Sequence, residues 1–181
     1  MARVHLVRHG RPLENGRDPG LDPLGHEQAV AVAERLGSLA PRRIVTSPLQ
    51  RTRDTAKPLA ARWSVEPQVV RAVRELPSPS DDLRERAAWL PLALRRTFAE
   101  LGDEQRAWRD GIVAELSTYR DDAVVFTHAV VINAVCGHIA GDDRVLAFVP
   151  EHCSVTVVDV DDSGGLTLVE RGAGRAHGEV R

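Results

Sequence analysis

Three short apolar runs constrain this chain more than any other feature: RVHLVR at 3–8, RIVTS at 43–47 and VVFT at 124–127. Each is rich in β-branched residues and too short for a helix. The first alternates weakly but is rich in Val and Leu, and so reads as a buried strand; the other two read as short strands. Turn residues and then a segment of helical period follow each run. After the first, a Gly/Pro/Asn/Asp loop covers 10–23, and a helix is expected from about 25 to 39. Ala29, Val32, Ala33 and Leu36 form its apolar stripe, and Pro41 forms its stop. After the second, Pro48 stands where a helix can open, and the helix runs through Thr52, Ala56 and Leu59 with Pro58 as a kink or break. After the third, about 130–140 is an apolar helix.

Between these units lie a β-rich stretch at 65–73, a loop at 76–82 and two helical stretches at 82–100 and 103–119. Strands at 154–160 and 166–170 are joined by Asp-Asp-Ser-Gly-Gly, a hairpin signal. The last ten residues read as frayed. The alternation predicts a three-layer α/β/α sandwich with a mostly parallel sheet. The whole of 1–181 is expected to be one domain, with a helical insert at about 76–120.

Composition narrows the function. Lys and Arg total 24 against 26 Asp and Glu, interspersed, for a net charge of -2. Lys57 is the only lysine, so the cationic groups are nearly all guanidinium. No basic tail or aromatic-basic interleaving is present, which argues against nucleic acid. No apolar run is long enough to cross a bilayer, and MARVHLVRHG lacks the apolar core of a signal peptide, so no membrane association and a cytoplasmic location are expected. Cys136 and Cys153 are too few for a disulfide framework.

In sheets of this kind, sites form at the carboxyl ends of strands. The residues there are Arg8-His9-Gly10, Ser47 onward, Glu75 and His128. Arg8 offers a planar fork of donors suited to an oxyanion, and His9 a nucleophilic nitrogen near neutral pH. Arg51 falls in the first turn of a helix whose N-terminus already favours anions. His128 follows a strand at the same sheet edge as His9. His5, His26, His138, His152 and His177 show no metal-ligand spacing, and no zinc site is expected. Trp63, Trp89 and Trp108 read as core or cap residues.

LVRHG, then Asn15, LDPLGHEQA, SPLQRTRDTA, a Glu after a strand and a strand ending in THA resemble the histidine phosphatase superfamily, its phosphoglycerate mutase-like branch. The resemblance implies a phosphomonoesterase acting through a phosphohistidine on His9. It implies that Arg8, Arg51 and His128 hold the phosphoryl oxygens as two guanidiniums and an imidazolium, with Asn15 a further contact. It places Glu75 as the acid for the leaving oxygen, with Glu66 and Glu85 as rivals, and gives Gly25 and Gln28 structural parts. It implies no cofactor or metal, and a small phosphorylated metabolite as partner.

The alternatives are a phosphoglycerate mutase and a non-catalytic binder of phosphorylated ligands. The chain departs from the family pattern at Arg11-Pro12, at Ala129 and in LPSPSDD after Glu75. Arg84, Arg86, Arg95 and Arg96 are candidates to meet a second anionic group on the substrate.

Overall fold

The structure, a computed structural model, describes residues 1–39 and 43–178. Strands β1 (Ala2–Arg8), β2 (Arg43–Thr46), β3 (Gln68–Val69) and β4 (Ala123–Thr127) alternate with helices α1 (Pro23–Leu36) and α2 (Gln50–Trp63). Helices α3 (Leu83–Ala93), α4 (Phe98–Leu101) and α5 (Asp103–Ser117) precede β4, and α6 (Ala129–Ala140) follows it. Strands β5 (Phe148–Pro150), β6 (Val155–Val160), β7 (Leu166–Glu170) and β8 (Gly174–Ala176) complete the chain.

The main sheet has the order β3-β2-β4-β1-β6-β7. The pairs from β3 to β1 are parallel, and β6 and β7 join antiparallel at the other side. This is the mostly parallel α/β arrangement read from the sequence.

Continuous apolar strands supply both faces of the core, because successive side chains point to opposite sides. Ala123 and Val125 of β4 pack with Ile112, Leu116, Val131 and Ile132 from α5 and α6. Val124 and Phe126 pack with Val32, Leu36, Ala56 and Leu59 from α1 and α2. The parallel registers pair Arg8 with Thr127, and Thr46 with Phe126. Three strand ends therefore finish at one edge.

Several local readings are corrected. Helix α1 starts earlier than expected, at Pro23, because the Asp22 side chain caps it by accepting from the Gly25 amide. Pro41, read as its stop, lies outside the described residues; α1 ends at Leu36. Pro58 does not break α2, whose buried face of Thr52, Thr55, Ala56, Leu59 and Trp63 holds it to the core. The expected helix at 82–100 is two, because Thr97 and Glu100 form a capping box that starts a new turn. The tail is not frayed through its described part: β8 pairs antiparallel with β5. No described helix is long and apolar enough to cross a membrane.

Candidate active site

The His9 amide donates to the Thr127 carbonyl at 3.0 Å, and the Ser47 amide to the Phe126 carbonyl at 3.1 Å. These bonds carry the ladder one residue beyond each strand and fix where the next side chains project. Thr55 of α2 accepts from the Gly10 amide at 3.0 Å and donates to the Arg51 carbonyl at 2.6 Å. One hydroxyl thus ties the histidine loop to the helix that carries Arg51.

Gly10 and Gly25 let this loop and α1 meet backbone to backbone. A Cβ on Gly10 would stand 2.6 Å from the Gly25 carbonyl oxygen, and one on Gly25 would stand 2.1 Å from that of Arg11. Gln28 accepts from the Arg11 amide at 2.8 Å, and Arg11 pairs with Asp22. Gly25 and Gln28 therefore hold the loop, and Arg11 is part of the same brace.

At the centre, Arg51 Nε donates to His9 Nε2 and Arg51 Nη2 to His128 Nδ1, each at 3.2 Å. A guanidinium only donates, so both nitrogens act as acceptors. The proton of His9 then sits on Nδ1, which donates to the Gly10 carbonyl at 2.8 Å. That of His128 sits on Nε2, which donates to Ser47 Oγ at 2.8 Å. The two rings meet edge to face at 5.3 Å between centroids. His9 is 5% exposed and His128 fully buried.

Burial, and after it the charge of Arg51, holds the pKa of each well below the ordinary imidazole value. Both the acceptor role of His128 Nδ1 toward Arg51 and the lowered pKa favour the neutral ring in the free protein; the imidazolium that the resemblance implies concerns the phosphoryl-bound state. His9 is a neutral base with its Nε2 lone pair turned to Arg51.

Glu75 Oε2 lies 3.6 Å from His128 Nδ1 and 3.8 Å from Arg51 Nη2, with the side chain 15% exposed. Burial pushes its carboxyl up, against the pull of Arg51 and of the bond it accepts from the Leu76 amide. Thr127 Oγ1 donates to the Val73 carbonyl at 2.8 Å and so fastens the segment carrying Glu75 to the end of β4.

Arg8 reaches across to donate from Nη1 to the Pro150 carbonyl, while its Nε is buried with no acceptor. A buried donor left unpaired is costly unless a ligand satisfies it.

The structure thus gathers His9, Arg51, Glu75 and His128 and brings Arg8 beside them; Arg8 contributes to the depression of both histidine pKa values. It does not gather Asn15, which is exposed on the loop between β1 and α1 and makes no side-chain hydrogen bond to the described residues. Glu66 borders a different cavity, with Arg53 and Lys57, and Glu85 is exposed on α3. Trp63 is buried, and Trp89 and Trp108 pack partly buried against the core.

Ser47, the first residue of SPLQRTRDTA, orients His128. One neighbour was not legible in the sequence: His152 stands 5.8 Å from His9 between ring centroids, with its pKa lowered to about 4 by burial and by Arg8. It belongs to no local motif; only the fold brings it in.

Ligand atoms of His9, Glu75 and His128 lie within 4.8 Å of one another, a spacing a metal ion could bridge. The Arg51 guanidinium already bonds both imidazoles there, so a metal cation would face a fixed positive charge at contact distance. The arrangement is better matched to an oxyanion, which would take over the guanidinium bonds.

An α/β sheet edge that presents a buried imidazole among half-buried guanidiniums defines a class of anion-handling site. The chain belongs to the histidine phosphatase superfamily, branch 1, whose family model matches residues 4–171. An uncharacterised protein of Mycobacterium tuberculosis is 43% identical over 67 residues, 33% of each chain. A probable phosphoglycerate mutase of Cronobacter sakazakii is 30% identical over 120 residues, 62% of this chain and 50% of that one. The chain thus spans a third to a half of the curated relatives' length.

Among solved structures, a mycobacterial glucosyl-3-phosphoglycerate phosphatase in complex with inorganic phosphate superposes with a TM-score of 0.73 at 26% identity, covering 96% of this chain and 98% of that one. A protein described as mycobacterial hydrolase 1 gives a TM-score of 0.74 at 25% identity, covering 96% and 99%.

Proposed function

We propose that this protein hydrolyses a phosphomonoester through a phosphohistidine on His9. The observation that carries the reading is the double contact of Arg51 with His9 Nε2 and His128 Nδ1. It marks the spot where a phosphoryl group would sit and leaves Nε2 as the unprotonated nitrogen facing it.

An arriving phosphoryl dianion accepts from Arg51 and from the unpaired Arg8 Nε. Its charge offsets the positive surroundings that depress His128, which can then protonate and donate. His9 Nε2 attacks phosphorus in line. The bond from phosphorus to the ester oxygen breaks, and Glu75 gives its proton to that oxygen. Water then attacks phosphorus while the Glu75 carboxylate takes its proton. The phosphorus–nitrogen bond breaks, and phosphate leaves with His9 and Glu75 restored. Negative charge spread over the phosphoryl oxygens makes fixed guanidiniums the main source of acceleration.

The test is turnover of p-nitrophenyl phosphate and of alkyl phosphates by the purified protein, with and without EDTA. Hydrolysis insensitive to EDTA and blocked by vanadate is expected. Loss of rate in EDTA with rescue by a divalent ion would contradict the arginine-based reading. Exchange between 2- and 3-phosphoglycerate without phosphate release would identify a mutase.

A further inference from the structure

A cavity of about 500 Å³ opens beside the reactive centre and shares Arg51 as one wall. Its other cationic walls are Arg17 from the loop between β1 and α1, Arg74 just before Glu75, and Arg86 on α3. Among the described residues, Arg17, Arg74 and Arg86 make no ion pair; Arg53, Arg84, Arg95 and Arg96 make none either, but those do not share this cavity, whereas Arg3, Arg11, Arg43, Arg106, Arg109 and Arg144 each face a carboxylate. Asp81 and Glu104 also line the cavity, so four guanidiniums face two carboxylates. Arg74 and Arg86 act on Arg51 as like charges. Unpaired like charges around one space repel, and a matching anion is the means of relieving that repulsion. The remaining lining includes Ser78 and Ser80, held in a Pro-Ser-Pro-Ser segment of restricted backbone. This wall suits a hydroxylated, charged ligand rather than an apolar one.

Resting on the phosphatase reading, we propose that the alcohol half of the substrate carries a second anionic group, a carboxylate or another phosphate, bound by Arg17, Arg74 and Arg86. Cavities of this volume hold ligands up to drug size, so there is room for a sugar-sized alcohol beyond the second charge. Arg86 is the main specificity residue: it is the half-buried member of the three, and its charge reaches His128 and Glu75 as well as Arg51. Of the four arginines expected from the sequence to meet such a group, only Arg86 lines the cavity. Arg84, Arg95 and Arg96 are exposed elsewhere.

Two matched pairs isolate the second charge: glycerol 3-phosphate against 3-phosphoglycerate for a carboxylate, and fructose 6-phosphate against fructose 1,6-bisphosphate for a second phosphate. Within each variant the readout is the ratio of kcat/KM for the charged over the uncharged partner. The ratio does not move when a substitution merely loosens the site. The wild type should prefer one charged partner by about tenfold or more, the lower range for a charge-assisted bond. Arg86→Ala should bring that ratio close to one, and Arg17→Ala and Arg74→Ala should lower it less. Ratios near one in the wild type for both pairs, or a ratio unmoved in all three variants, would overturn the proposal. Calorimetric binding of the same pairs gives the ratio without turnover. A binding preference that depends on Arg86 in a protein that does not hydrolyse p-nitrophenyl phosphate would uphold this site and discard the phosphatase reading.

Discussion

The floor and the wall of the site are built on opposite principles. The floor consists of His9, Arg51, Glu75 and His128, held at the ends of β1 and β4, on the first turn of α2 and on the segment tied to Thr127. Its rings are buried, and each imidazole nitrogen has an assigned partner. The wall consists of Arg17, Arg74 and Arg86, drawn from a loop, a segment end and α3, and among the described residues these guanidiniums have no carboxylate of their own. A prearranged floor costs no reorganisation when charge develops in a transition state. An unpaired, more exposed wall can be altered residue by residue without disturbing that floor. On the proposed reading, chemistry and selectivity are encoded apart: the floor would set the reaction, and the wall would set what is accepted.

The strongest way to break this division is at the floor. His9→Ala should reduce turnover of every phosphomonoester by about 10⁴-fold or more, the scale seen when a nucleophile is removed. Steady-state assays would show it, and partial retention with one substrate class would mean that the wall contributes to the chemistry.

Glu75 tests the same division differently, because it belongs to the floor yet, in the proposed mechanism, acts on the leaving group. Glu75→Gln should cost about 10²–10⁴-fold in the burst rate with an alkyl phosphate. The loss should be much smaller with p-nitrophenyl phosphate, whose leaving group needs no proton. Equal burst losses with both would remove Glu75 as the acid.

The pKa directions give a third test. His9 is lowered, so it stays neutral through the neutral range, and kcat/KM falls only as acid protonates it. Glu75 is raised, so it keeps its proton to higher pH than an ordinary carboxylic acid. With alkyl phosphates, kcat/KM should therefore fall about tenfold per pH unit once pH passes the Glu75 pKa. This alkaline limb should vanish in Glu75→Gln and be absent with p-nitrophenyl phosphate. An alkaline limb that survives in Glu75→Gln would assign it to another group.

The smallest effect concerns the brace of Arg8. β8 pairs with β5, the Glu151 amide donates to the Ala173 carbonyl at 2.8 Å, and the Pro150 carbonyl accepts from Arg8. A Cβ on Gly174 would stand 2.6 Å from the Val149 carbonyl oxygen. Gly174→Val should therefore dislodge β8 and weaken inhibition by phosphate roughly twofold to fivefold, the size of a partly lost hydrogen bond. An unchanged inhibition constant would show that Arg8 is held without the tail.

The layout is legible in the sequence where it depends on local pattern. Continuous β-branched runs announce β1, β2 and β4. The rule that sites form at strand ends picks out His9, the Ser47 segment and His128 from the order of the elements alone. β5 and β8 escape such a reading because three-residue strands have no period, and their stability comes from each other. Pro58 misleads because the buried face of α2 outweighs one lost backbone bond. In the site, Glu75 stands out through the family resemblance, and the structure puts it within 4 Å of both Arg51 and His128. Asn15 stays outside the cluster. His152 reaches the site only through long-range folding, and Arg17 and Arg74, although on the segments that carry His9 and Glu75, belong to no motif that would mark them.

The central claim is that His9 carries the phosphoryl group between two chemical steps. Rapid quench with a ³²P-labelled phosphomonoester measures this directly. The expected label is stable in base and lost in acid, maps to His9, and is absent in His9→Ala. Turnover at full rate with no trapped label, or a label that is acid-stable or resides on another residue, would contradict the claim.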